Sequence, residues 1–105
     1  MVKKLNHFLR FKLSKPKFDG KTVFITGGSS GIGEELCKRF VELGAKKVII
    51  AARRLAELER VKQECKFPER VQTLVLDLAE PRSCLDLAQR VGGDVDIVVN
   101  NGGIS

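Results

Sequence analysis

From Lys21 onward the chain alternates short apolar runs with longer stretches in which apolar residues recur every third or fourth position. The runs are KTVFIT (21–26), VIIAA (48–52), VQTLVLDL (71–78) and DIVVNN (96–101). They lack strict alternation, which is the pattern of strands covered on both faces. Between them, Ile32, Leu36 and Phe40 repeat over 31–43, Leu55, Leu58, Val61 and Cys65 over 55–65, and Cys84, Ala88 and Val91 over 81–91, each at helical spacing. Every such helix has one apolar stripe to lay on a sheet. Gly44 after the first helix and Pro81 at the start of the third are expected stop and start signals. Strands alternating with helices imply right-handed crossovers, so the order β-α-β-α-β-α-β predicts an α/β fold with a parallel sheet.

Residues 1–18 follow a different pattern. Val2, Leu5, Leu9 and Leu13 would share one side of a helix with Phe8 at its margin, Pro16 would stop it, and Asp19-Gly20 reads as the turn into the sheet. Charge draws the same boundary. Of nineteen Lys and Arg, six (Lys3, Lys4, Arg10, Lys12, Lys15, Lys17) lie in 1–18 with no acid, so residues 19–105 hold thirteen bases against all thirteen acids. The division expected is therefore a basic amphipathic or disordered tail, 1–18, and one domain, 19–105. Since the basic excess sits in the tail, no nucleic-acid partner is expected, and any weak contact with an anionic membrane surface belongs to residues 1–18.

A hydrophobic share of 43% with 30% charged residues places the 105 residues with ordinary single-core domains rather than disordered chains. No apolar run approaches the roughly 20 residues of a membrane span, and no signal-peptide core follows the early lysines, so the chain reads as neither spanning nor secreted. Cys37, Cys65 and Cys84 are widely separated and His7 is the only histidine, which predicts buried structural thiols on helices and no metal site.

The chemistry concentrates where strands end. Thr26 to Gly33 reads TGGSSGIG, between the first strand and the first helix. Such a loop lets backbone N–H groups approach a pyrophosphate while the helix N-terminus faces the anion. A nucleotide-hydrolysing GxxxxGK loop would need Lys where Glu34 stands, and a GxGxxG loop lacks its third glycine at Leu36. TGxxxGxG remains, with Gly27, Gly31 and Gly33. At the end of the second strand, where an acid would hold an adenosine ribose 2′-hydroxyl, stand Arg53 and Arg54. A guanidinium there suits a 2′-phosphate, so NADP(H) is favoured over NAD(H). Asp77-Leu78 and Asn100-Asn101-Gly102-Gly103 close the third and fourth strands at the same edge.

Those residues resemble the short-chain dehydrogenase/reductase family: TGGSSGIG its cofactor loop, Asp77 its adenine contact, Asn100 to Gly103 its NNAG motif with Gly102 replacing alanine. The run from Ser29 to Cys65 is similar to the dehydrogenase/reductase member 7 branch, whose members often sit at the endoplasmic reticulum membrane. The resemblance implies a Rossmann-like doubly wound sheet of order 3-2-1-4, ending here after its fourth strand. It implies cofactor binding by Gly27, Ser29, Ser30, Gly31, Ile32, Gly33, Arg53, Arg54, Asp77, Leu78, Asn100 and Gly102. It also implies hydride transfer between NADP(H) and an alcohol or carbonyl, using a Tyr, a Lys and a Ser that would follow the fourth strand. This chain contains no Tyr. Two readings follow: the cofactor-binding half of an NADP-dependent oxidoreductase, inactive alone, or a non-catalytic nucleotide-binding or interaction module. An open edge on the fourth strand would invite self-association.

Overall fold

The computed structural model describes residues 18–27, 31–75, 90 and 95–101. Within them are strands β1 (Thr22–Thr26), β2 (Lys47–Ala52), β3 (Val71–Val75) and β4 (Ile97–Asn100), helices α1 (Gly31–Glu42) and α2 (Leu55–Glu64), and a 3₁₀ turn at Pro68–Arg70. The strands form one parallel sheet in the order β3-β2-β1-β4, the doubly wound order expected. Register aligns Thr26 with Ala51 on one side and Asn100 on the other, so the strands end in a single row. The tail 1–17, the third helix expected over 81–91 apart from the helical Arg90, and the end of the third run lie outside the described residues.

β1 and β2 occupy the middle, and β1 is buried at every position. Period-two geometry divides their side chains between two faces. Val23, Ile25, Val48, Ile50 and Ala52 meet Cys37, Val41, Leu58 and Val61 from the two helices. Phe24, Ile49 and Ala51 bury on the other face, with Leu74 and Val95 packed against them. Full burial of each Val, Ile or Phe contributes roughly 1.5–3 kcal/mol, so these two central strands supply most of the cohesion. Among the described residues, β3 and β4 have a neighbour on one side only, and Val75 and Val98 remain 49% and 39% exposed. The uniform apolar runs thus predicted coverage correctly for the middle of the sheet and overstated it at the edges.

Helix α1 buries a different line from the one its large residues suggest. Gly33, Cys37 and Val41 face the sheet, Leu36 and Phe40 flank it half-buried, and Ile32 is 69% exposed. Both rows repeat every fourth residue. The smaller side chains win the contact because they let the helix backbone approach the sheet. On α2, Leu58 and Val61 are buried, whereas Leu55 is 53% exposed on the first turn. Cys65 is buried but lies past the helix end with extended backbone, its N–H donating to Lys62 O, so it does not sit on a helix as its spacing suggested.

The end of α1 follows the Schellman pattern. Ala45 N–H donates to Phe40 O (3.0 Å) and Gly44 N–H to Val41 O (3.2 Å), which requires the left-handed φ of +94° that Gly44 adopts. Phe18 N–H donates to Leu43 O, and its ring meets Phe40 edge-on at 4.9 Å between centroids. Phe18 therefore belongs with the folded part, one residue before the boundary drawn from charge. Lys21 N–H donating to Phe18 O, with Gly20 at φ +77°, makes the turn expected at Asp19-Gly20.

Candidate functional site

The carboxyl ends of β1, β2 and β4 meet around Gly27. This residue turns the chain out of β1 with φ +69°, and its N–H donates to Ala51 O on β2 at 2.8 Å. After the loop the chain re-enters as α1 at Gly31, φ +55°. Gly33, one turn in, lies against the Gly27 peptide: a Cβ on Gly33 would fall 2.0 Å from Gly27 O and 2.8 Å from Asn101 Nδ2. Asn101 Nδ2 itself donates to Gly27 O at 3.3 Å. The first and third glycines of TGxxxGxG are thus one contact, a bare backbone cradle closed by a side chain from the end of β4.

Thr26 is the hinge of that closure. Its hydroxyl is fully buried, accepts the Asn101 N–H at 3.0 Å and donates to Asn100 Oδ1 at 3.1 Å. An apolar strand ending in a buried Thr needs such partners, because an unsatisfied buried hydroxyl costs about 1–3 kcal/mol. Neither Thr26 nor Asn101 is among the site residues expected from the sequence. The signal was present in the Thr that heads the loop motif and in the Asn pair 74 residues on, but choosing between the two Asn needs the register.

At the end of β2, Arg53 and Arg54 are both exposed. Arg54 occupies the N-cap of α2 with φ −110°, ψ 110° and forms no side-chain capping bond. A guanidinium has only donors, so it cannot perform the task that Ser, Thr, Asp or Asn performs at this position. Neither arginine forms an ion pair among the described residues, whereas Lys38, Arg39 and Arg60 all do. Ser29, Ser30, Asp77, Leu78 and Gly102 lie outside the described residues. The structure brings Gly27, Gly31, Gly33 and Asn100 to one edge, with Ile32 exposed on the first turn of α1.

Helix α1 is braced next to the cradle by charge. The Arg60 fork from α2 grips Glu34 at 3.0 and 3.3 Å, and Lys38 joins Glu34 to Glu64 at 2.9 Å each. Hydrogen bonds from Arg60 first, then Lys38, hold the Glu34 carboxyl down to about 2. Glu34 stands where a phosphate-binding lysine would be needed for nucleotide hydrolysis, and its side chain is committed to α2 instead. No group of three or more His, Cys, Asp or Glu among the described residues could hold a metal, and no described helix is long and apolar enough to cross a membrane.

Comparison with known proteins places these features. The short chain dehydrogenase family model matches residues 21–105. The chain is 44% identical over 113 residues to a dehydrogenase/reductase SDR family protein 7-like of Drosophila melanogaster, covering 96% of this chain and 34% of that protein. It is 33% identical over 94 residues to an NADP-dependent 3-hydroxy acid dehydrogenase of Schizosaccharomyces pombe, covering 85% and 36%. In structure it is similar to the L-sorbose reductase of Gluconobacter frateurii complexed with NADPH and L-sorbose, with TM-score 0.70 and 32% identity, over 86% of this chain and 36% of that one. The chain thus spans about a third of the length of the relatives it matches. With its glycine cradle, its β3-β2-β1-β4 sheet and these likenesses, the chain belongs to the short-chain dehydrogenase/reductase family, in the member 7 branch.

Proposed function

We propose that this chain is the cofactor-binding part of an NADP(H)-dependent oxidoreductase acting on an alcohol or carbonyl. The observation that carries the reading is the Gly27–Gly33 cradle, where the absence of two side chains lets α1 start directly against the end of β1. That gap fits a pyrophosphate: the first-turn N–H groups of α1 would bind it and the exposed Ile32 would cover the dinucleotide's apolar side. Gly31, with Ser29 and Ser30, would line the same loop, Asp77 and Leu78 the adenine end, and Asn100 and Gly102 the nicotinamide end. Arg53, with Arg54 beside it, would hold a 2′-phosphate. NADPH, when bound, supplies the hydride; this chain's residues bind and orient it.

Support for the phosphate comes from two guanidinium groups that form no ion pair among the described residues, beside a helix start that has no side-chain cap. The Schizosaccharomyces relative and the Gluconobacter neighbour, by their names, use NADP and bind NADPH. A charge-assisted hydrogen bond of roughly 1.5–3 kcal/mol corresponds to a tenfold to hundredfold preference. Titrating the 105-residue chain with NADPH and NADH is expected to show that preference and its loss in Arg53→Ala. Equal affinities for the two in the unsubstituted chain would remove the phosphate role. With no Tyr among its 105 residues, the chain alone is expected to give no NADPH oxidation on a carbonyl panel.

A further inference from the structure

Cys37 and Cys65 bring their sulfurs to 3.7 Å across the contact between α1 and the end of α2, and both thiols are free. They lie 28 residues apart in sequence, so only the packing of the two helices on the sheet makes them neighbours. Cys37 is fully enclosed within α1, and Cys65 is 5% exposed. The backbones that carry them differ. Cys37 is held in the middle of a helix, whereas Cys65 has left α2 and is extended, with φ −75° and ψ 152°. Reaching the ~2.05 Å of a disulfide requires the sulfurs to close by about 1.6 Å, and a residue beyond a helix end can supply such a shift without unwinding a turn.

We propose that Cys37 and Cys65 form a dithiol modification site, oxidised by a low-molecular-weight disulfide such as that of glutathione to an intramolecular bond pinning α1 to the end of α2. In the first step the Cys65 thiolate attacks one sulfur of the small disulfide, forming a mixed disulfide and releasing one small thiolate. Cys37 thiolate then attacks Cys65 Sγ, releasing the second. The two protons lost by the cysteines go to the two departing thiolates, so two thiols and one disulfide become one disulfide and two thiols. Burial pushes both thiols up from their ordinary range, so exchange is slow and begins where Cys65 meets solvent. The bond would fix the relative position of the two helices whose first turns frame the glycine cradle and the arginine pair.

The test uses the 105-residue chain carrying Cys84→Ser, which leaves only this pair, equilibrated across a series of reduced and oxidised glutathione ratios. Non-reducing peptide mapping is expected to yield a Cys37–Cys65 linked pair about 2 Da lighter than the two thiol peptides together and restored by reductant. The effective concentration of one thiol for the other is expected to be at least tenfold higher in buffer than in concentrated urea, because the fold and not the chain brings them together. Equal values in buffer and urea, glutathione retained on both cysteines, or bonds between separate chains would each overturn the proposal.

Discussion

Replacing Gly33 with Ala probes the cradle directly. The added Cβ would stand 2.0 Å from Gly27 O and 2.8 Å from both Gly27 C and Asn101 Nδ2. Restoring ordinary contact with the carbonyl needs a movement of about 1.4 Å, by backbone on either side. Neither side is free: Gly27 N–H is bonded to Ala51 O at 2.8 Å, and α1 is tied to α2 through Glu34, the next residue. Overpacking of this kind costs about 1–3 kcal/mol, and stretching the Gly27–Ala51 and Asn101–Gly27 bonds costs about 0.5–1.5 kcal/mol each. The better helix propensity of Ala returns at most ~1 kcal/mol. The net loss is about 1–5 kcal/mol, and its middle, about 3 kcal/mol, lowers the melting midpoint by on the order of 10 °C or more in a chain of this size. Gly20→Ala is the control. Gly20 has a left-handed φ of +77°, which Gly33 does not, and nothing lies within 4 Å of its new Cβ, so it carries only the left-handed cost of roughly 1–2 kcal/mol. Thermal and urea denaturation of the three chains side by side measures the difference. A Gly33→Ala chain no less stable than Gly20→Ala would refute the close approach of α1 to β1.

Acid should loosen the brace between the helices. Because folding lowers the Glu34 pKa to about 2 from an ordinary 4.5, its contribution is complete above pH 5 and lost as pH falls towards 2. The stability gap between the unsubstituted chain and Glu34→Gln, followed by urea titration, is expected to narrow over that window; a gap independent of pH would exclude the charge-based account. Thr26→Val removes the buried hydroxyl between β1 and β4 and is expected to cost about 1–3 kcal/mol and speed amide exchange at Asn101, while Thr26→Ser retains protection. Unchanged exchange at Asn101 in Thr26→Val would show that the hydroxyl does not hold this junction. The six cations of residues 1–18 are expected to give salt-sensitive co-sedimentation with anionic vesicles, each worth roughly 1 kcal/mol near the bilayer. No sedimentation at low salt would end that idea.

The sequence was most legible where the physics is local. Alternating apolar runs and helical stripes located the six described strands and helices, and the strand-to-helix setting of TGGSSGIG distinguished its loop from a nucleotide-hydrolysing one. What escaped depends on contacts between distant segments. Ile32, Leu36 and Phe40 form the larger stripe on α1, yet Gly33, Cys37 and Val41 face the sheet, because a helix crossing a strand end this closely has room for little else. Val75 and Val98 look as buried as Val23 until the strand order shows which ones lie at an edge. Asn101 and Thr26 find each other only through the β1–β4 register, and the two thiols only through the packing of α1 on α2.

The closure of Gly27 by Asn101 has a consequence in time. Those residues are separated by 74 positions in sequence, whereas β1 pairs with β2 at a separation of only 25, Thr22 with Lys47. Contacts with long closure form late, so β1, α1 and β2 can associate while β4 is still unmade. During synthesis at about 5–20 residues per second, roughly 4–15 s separate translation of the first residue of this bond from the last. For that interval the side of β1 that β4 will occupy, Val23 to Thr26, is an unpaired strand edge. A nascent chain is therefore most exposed to wrong pairing at the strand that later anchors its glycine loop, and the arrival of β4 ends that exposure and completes the cradle in one event.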